Sequence, residues 1–222
     1  MNPSPVPSRL LARPPDGRGS NVASGLYELA DGALLRVQPA IADGERCALL
    51  VLFHGARSTA AAGQALFAER EEDANAIVLA PQSAGSTWDV IEGGFGVDVR
   101  RVDRALTSVF NACTVDTSRV VFGGFSDGAS YALSLGIDNG DLARHLVAFS
   151  PGFAAPAAPR GQPRILVTHG IRDSVLPVDR CSRRLVPRLR DAGYDVTYEE
   201  FDGGHIVPPE LIRRAIRWLD GR

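Results

Sequence analysis

Arg119-Val120-Val121-Phe122-Gly123-Gly124-Phe125-Ser126-Asp127-Gly128-Ala129-Ser130 is the stretch on which the reading of this chain turns. A β-branched apolar run ends in Gly-x-Ser-x-Gly, and a segment of small, helix-compatible residues follows. This is the sequence form of a strand-to-helix turn with a serine at its apex, the hydroxyl pushed into a cleft. Such a turn strains the serine backbone and crowds the chains beside it. Gly124 and Gly128, two residues to either side, relieve the crowding because they lack Cβ atoms. The helix that follows points its first N–H groups at any negative charge developing near the serine. A glycine-rich turn that merely contains a serine would share this pattern, so the surroundings decide its meaning.

Upstream, Cys47–Phe53 is a continuous apolar run without alternation, the pattern of a strand buried on both faces of a parallel sheet. It ends in His54-Gly55-Ala56-Arg57. A second such run, 76–80, is closed by Pro81. Between them, 63–74 reads as a helix ending in an acidic, solvated cluster at 69–73. Two short strands, 21–29 and 33–37, are joined at Asp31-Gly32, a strong hairpin signal. The loop 82–96 carries Trp88 and Phe95. Residues 98–113 have apolar positions at 3.6-residue spacing with arginines outside, which predicts an amphipathic helix. Asp116-Thr117-Ser118 reads as a turn into the serine strand, and 127–137 as the helix after it.

Downstream, strands are expected at 145–149, 164–168 and 194–201, the second ending in His169-Gly170-Ile171-Arg172-Asp173. Helices are expected at 178–192, with Pro187 a possible kink, and from Pro208 or Pro209 to 219. Strands alternating with helices imply an α/β fold: a mostly parallel central sheet with helices on both faces. No insertion is long enough for a large lid domain. The domain reading is a flexible or surface-draped arm at 1–20, rich in proline, followed by one domain at 21–222.

Composition narrows the partners. The chain has 222 residues and a net charge of −2, with no basic footprint for nucleic acid and no polybasic membrane patch. The N-terminus lacks the apolar core of a signal peptide, and no apolar run reaches the ~18 residues of a membrane span. A cytoplasmic location without membrane insertion is expected. All 24 basic residues are arginine, which excludes mechanisms that need a lysine nucleophile or base. Cys47, Cys113 and Cys181 match no metal spacing; the first two sit in apolar segments and are expected in the core.

In a sheet of this kind, functional residues gather in loops after the carboxyl ends of strands. Four such loops carry His54-Gly55-Ala56, Ser126, Asp173 and His205. The chain order Ser, acid, His is the order of α/β-hydrolases. Ser126 would be the nucleophile. A free hydroxyl attacks poorly at neutral pH, so it needs an adjacent base, and His205 would take its proton and return it to the leaving group. Asp173 would accept the other imidazole N–H and fix the tautomer; Asp179 and Asp202 are alternative acids. The oxyanion hole would use the backbone N–H groups of Asp127 and Ala56. The Asp127 carboxylate reads as a cap on its own helix. Among the other histidines, His54 would brace the oxyanion loop and His145 would be structural or at the surface. Arg57, Trp88 and Phe95 are candidates for the substrate pocket, with core packing the alternative for the two aromatic residues.

Phe53-His54-Gly55, Gly124-Phe125-Ser126-Asp127-Gly128, His169-Gly170-Ile171-Arg172-Asp173 with Val175-Leu176-Pro177, and Gly203-Gly204-His205 together resemble the phospholipase/carboxylesterase family of α/β-hydrolases. That family includes acyl-protein thioesterase-like enzymes. The resemblance runs from about Leu49 to the C-terminus and extends to Trp88-Asp89. It implies an α/β-hydrolase fold and a Ser-His-Asp esterase without a metal or organic cofactor. It also implies that His169 supports the acid loop. Many relatives carry glutamine where this chain has Asp127, and Arg57-Ser58-Thr59 replaces a Gly-Asp type turn; both changes bear on substrate. The expected function is hydrolysis of short to medium acyl esters or thioesters through an acyl-enzyme. A polyester depolymerase, lactone hydrolase or peptidase on the same triad is the alternative, and a non-catalytic hydrolase-like binding protein a more distant one.

Overall fold

The strand that carries Ser126 lies in the middle of an eight-stranded sheet. The computed structural model describes residues 8–15, 22–39, 45–67 and 76–221. In chain order the elements are β1 (Gly25–Glu28), β2 (Leu34–Val37), β3 (Cys47–Phe53), α1 (Ala60–Ala65), β4 (Ala76–Ala80), α2 (Val97–Ala112), β5 (Val115–Phe125), α3 (Asp127–Asp138), β6 (His145–Phe149), β7 (Arg164–Gly170), α4 (Ser182–Asp191), β8 (Val196–Phe201) and α5 (Pro209–Leu219). The strand order is β1-β2-β4-β3-β5-β6-β7-β8. The hairpin of β1 and β2 is antiparallel, as is the β2–β4 pair, and every pair from β4 through β3 to β8 is parallel. The parallel strands all point their carboxyl ends at one edge, where β3, β5 and β7 deliver His54, Ser126 and Asp173.

Both faces of the sheet are covered, which is why β3 shows no alternation. Leu49, Val51 and Phe53 pack with α2, α3 and α4 on one face. Ala48, Leu50 and Leu52 pack with Leu211, Ile212 and Ala215 of α5 on the other. Cys47 and Cys113 are buried, as expected, and Cys181 is too. Burial pushes the Cys47 thiol up to about 11, so it carries little thiolate at neutral pH.

Three local readings shift. Asp116-Thr117-Ser118, read as a turn into the serine strand, is a bulge inside β5 itself. Cys47 pairs with Val115 and Leu49 with Val120, so six positions of β5 (115–120) face three of β3 (47–49). The Asp116 carboxylate accepts from the Ser118 N–H and hydroxyl (2.9 and 2.7 Å) and holds this bulge. Residues 178–181 form turns ahead of α4 rather than its first turn, and α4 runs through Pro187. The helix expected at 63–74 begins earlier, at Ala60; its acidic end at 69–73 lies outside the described residues.

Residues 8–15, read as part of a flexible or surface-draped arm, are anchored to the domain. Leu10 is fully buried. Asn139, at the end of α3, accepts from the Leu10 N–H (2.9 Å) and donates to the Ser8 carbonyl (2.9 Å). The Asp103 carboxylate of α2 accepts from the N–H groups of Leu11 and Ala12, and Arg9 and Arg13 pair with Asp141. The sequence hides this because the partners lie about a hundred residues away. Asn139→Ala leaves buried backbone groups of this segment unpaired, at a cost of about 1–3 kcal/mol. It is expected to speed hydrogen exchange at Leu10 by at least about tenfold while leaving β5 protected. Unchanged exchange at Leu10 would show that the anchor lies elsewhere.

Candidate active site

Ser126 joins β5 to α3 with φ 59° and ψ −123°, a left-handed φ that residues with a side chain rarely adopt. Neighbours hold it there. Its N–H donates to the Phe149 carbonyl (2.9 Å), and its carbonyl accepts from the N–H groups of Ala129 and Ser130. A methyl group on Gly124 would lie 2.5 Å from the Gly128 backbone, and one on Gly128 would lie 2.1 Å from the Phe53 carbonyl oxygen. The two glycines thus let α3 start against the end of β3, so that the strand, the turn and the His54 loop share one small volume.

Asp173 follows β7 in a tight turn. One carboxylate oxygen accepts from the N–H groups of Val175 (2.9 Å) and Leu176 (2.8 Å). The other lies 2.6 Å from His205 Nδ1. His205 Nε2 in turn lies 2.9 Å from Ser126 Oγ. These partners assign the tautomer: Nδ1–H donates to the carboxylate, and Nε2 accepts from the serine hydroxyl. Phe125 covers one face of the imidazole, its ring centroid 4.6 Å away. A hydroxyl, an imidazole whose free nitrogen can receive its proton and a carboxylate that orients the imidazole are thereby within hydrogen-bond reach.

Burial alone would raise the Asp173 carboxyl, but hydrogen bonds from His205, Leu176 and Val175 outweigh it and hold the pKa below the usual carboxylate value. A folded pKa below the unfolded one stabilises the fold above the unfolded value and loses that contribution as pH falls through the folded value. The stability difference between wild type and Asp173→Asn, from urea unfolding, should therefore be full at neutral pH and shrink once pH falls below about 4. A difference that stays constant down to pH 3 would contradict the lowered carboxyl.

The other histidines take supporting or remote places. His169 is fully buried; its Nε2 lies 2.7 Å from the Leu176 carbonyl and its Nδ1 2.7 Å from Ser182 Oγ. Burial lowers its pKa, so it stays neutral and pins the turn that presents Asp173. His54 is buried as well, and burial lowers its pKa too. Its Nδ1–H donates to the Gly55 carbonyl (2.8 Å), while its Nε2 accepts from the Ser83 N–H (3.2 Å) and the Gln82 amide (3.1 Å). His145, at the start of β6, packs edge-on against Trp218.

The loop 82–98 acts as a clamp on the His54–Arg57 segment. Besides the contacts to His54, the Ser86 carbonyl accepts from the Arg57 N–H (2.6 Å), and Trp88 donates from its indole to the His54 carbonyl (2.8 Å). Asp89 and Asp98 close the clamp: each carboxylate accepts from the other's backbone N–H. Nothing in local periodicity announced this role. Ala56 comes to lie beside Ser126 in one cleft. The Asp127 N–H heads α3, where helix N–H groups lack intrahelical acceptors. The Asp127 carboxylate does not cap the helix as read from the sequence, and accepts instead from the Thr87 hydroxyl (2.5 Å).

The cleft above Ser126 has a volume of about 360 Å³. Its apolar walls are Ala62, Leu66, Phe125 and Val175, none of which the sequence singled out for this purpose. The three expected pocket residues lie off it. Trp88 is fully buried and stacks on Tyr131 at 4.6 Å, because its indole is committed to the clamp. Phe95 packs on the same core cluster. Arg57 is exposed at φ 56° and directs its backbone to the clamp.

Comparison with solved structures gives the same fold. Acetyl xylan esterase from Aspergillus awamori aligns with a TM-score of 0.74 and 17% identity, covering 90% of this chain and all (100%) of that one. Esterase PE8 aligns at 0.67 and 21%, covering 90% and 99%, and the Bacillus cereus carboxylesterase at 0.67 and 19%, covering 85% and 93%. No curated protein matches the sequence. The family model described as Phospholipase/Carboxylesterase matches residues 89–220, well over half of the chain and the part that holds Ser126, Asp173 and His205. This chain belongs to the phospholipase/carboxylesterase family.

Proposed function

We propose that this protein is a serine hydrolase that cleaves carboxylic esters or thioesters of short to medium acyl chains through an acyl-enzyme. One observation carries the reading: the unbroken relay from Ser126 Oγ to His205 Nε2 (2.9 Å) and from His205 Nδ1 to Asp173 Oδ2 (2.6 Å). His205 removes the Ser126 proton as Oγ attacks the carbonyl carbon. The N–H groups of Asp127 and Ala56 receive the oxyanion, and loss of one such donor typically costs about 3–4 kcal/mol of barrier. The protonated His205 then donates to the leaving alkoxide or thiolate, and water enters by the same relay in reverse. Asp173 keeps the imidazole in the productive tautomer and stabilises its charged form. The apolar walls at Ala62, Leu66, Phe125 and Val175 suit an acyl chain, and the modest cleft volume favours short and medium ones.

The test is labelling with a fluorophosphonate, which phosphonylates an activated serine. Wild type should be labelled and Ser126→Ala should not. An unlabelled wild type, or equal labelling of the variant, would remove Ser126 from the mechanism.

A further inference from the structure

A second cavity, of about 720 Å³, shares no lining residue with the cleft above Ser126. It lies between α4, the end of α3 and the loop 152–162, and its volume is in the range of small-molecule sites, roughly 300–1,000 Å³. Its floor is apolar, with Ile137, Phe153, Leu185 and Leu189. One wall is a row of three arginines, Arg180, Arg184 and Arg188. Their spacing of four residues along α4 and the turn before it sets them side by side.

These guanidiniums differ from their neighbours. Arg183, on another face, is held by Asp179 and Glu200, and Arg190 donates to the Val196 carbonyl. The guanidiniums of Arg180, Arg184 and Arg188 have no hydrogen bond or ion pair among the described residues, and the cavity lining contains no carboxylate. The buried carboxylate of Asp138, close by, is occupied by the N–H groups of Ala157 and Ala158. Like charges four residues apart destabilise a helix, so this row costs stability that no internal partner returns. The facing wall supplies apolar and neutral polar groups, with no cation. All the positive charge therefore lies along one edge of an apolar trough, and an elongated apolar molecule with one negative end is complementary to it.

We propose that this cavity is a binding site, separate from the catalytic cleft, for a single-chain amphiphile with a carboxylate head. The chain lies on Ile137, Phe153, Leu185 and Leu189, and the carboxylate takes a bidentate hydrogen bond from one guanidinium of the row.

Isothermal titration of the full-length protein with decanoate, below its micelle concentration, tests this. Acetate, decyltrimethylammonium and decyl phosphate serve as comparison ligands. Decanoate should bind at least about tenfold more tightly than acetate or decyltrimethylammonium, and no more weakly than decyl phosphate. Replacing all three arginines (Arg180→Gln, Arg184→Gln, Arg188→Gln) should weaken decanoate at least about tenfold, the loss expected for one charge-assisted hydrogen bond. Arg183→Gln, outside the trough, should bind as wild type. Ala62→Trp, which fills the catalytic cleft, should also bind decanoate unchanged. The inference fails if decyltrimethylammonium or acetate binds as well as decanoate, if decyl phosphate binds more tightly, or if the triple variant binds normally. Loss of binding in Ala62→Trp would place the amphiphile above Ser126 and overturn it equally. None of these results depends on turnover at Ser126.

Discussion

His205→Ala is expected to lower kcat for a p-nitrophenyl ester by about 10⁴–10⁶-fold, because members of a nucleophile–base–acid relay act as a unit. The size follows from what the imidazole does. Without it, the Ser126 hydroxyl keeps its proton and has no general base within reach. His54 and His169 cannot replace it. The imidazole of His54 is committed to Gly55, Gln82 and Ser83, and that of His169 to Ser182 and Leu176. KM should change little by comparison, since His205 forms only one part of a cleft otherwise walled by Ala62, Leu66, Phe125 and Val175. The melting temperature should stay within a few degrees of wild type, because the His205 side chain lies at the cleft and is not part of the core. A variant that retains a tenth or more of wild-type kcat would show that proton transfer runs through another group.

Gly128→Ala is the second large effect, and it acts through packing. The added methyl would sit 2.1 Å from the Phe53 carbonyl oxygen and 2.6 Å from that of His54. Both are backbone atoms, which cannot turn aside as a long side chain can. Overpacking a core typically costs about 1–3 kcal/mol, and a clash with two backbone carbonyls belongs at the upper end. For a chain of this length that corresponds to a melting temperature lower by roughly 6–12 °C. Activity should fall further than stability explains. The methyl pushes β3 and its His54-Gly55-Ala56 extension away from Ser126, and a displaced oxyanion donor costs about 3–4 kcal/mol of barrier. Gly85→Ala is the control: its added methyl meets nothing closer than 3.7 Å, and the change should stay within about 0.5 kcal/mol. Equal melting temperatures for the Gly128→Ala and Gly85→Ala proteins would contradict the close approach of α3 to β3.

Much of this was legible along the chain. The unbroken apolar runs of β3, β4 and β7, the Asp-Gly hairpin and the helical spacing of α2 are local patterns, and they specify an α/β sheet covered on both faces. Gly124, Ser126 and Gly128 announce the strand-to-helix turn because a left-handed serine beside a crowded strand end demands glycine two residues to either side. Asp173 and His205 could be picked out because chemistry-bearing residues after strand ends are few, and their order limits the assignments.

Tertiary structure alone decided the rest, for one physical reason. A side chain's surroundings depend on which distant segments reach it, and periodicity carries no record of that. Trp88 turned inward because its indole N–H meets the His54 carbonyl, 34 residues away in sequence. The cleft walls came from Ala62, Leu66, Phe125 and Val175, drawn from three separate stretches of the chain. Residues 8–15 became anchored only because α2 presents Asp103, and the end of α3 presents Asn139 and Asp141, where they can receive the segment. Only the fold placed an apolar trough beside Arg180, Arg184 and Arg188. The sequence determined the fold class and singled out the serine, carboxylate and imidazole that meet at the cleft; long-range contacts decided what surrounds those groups.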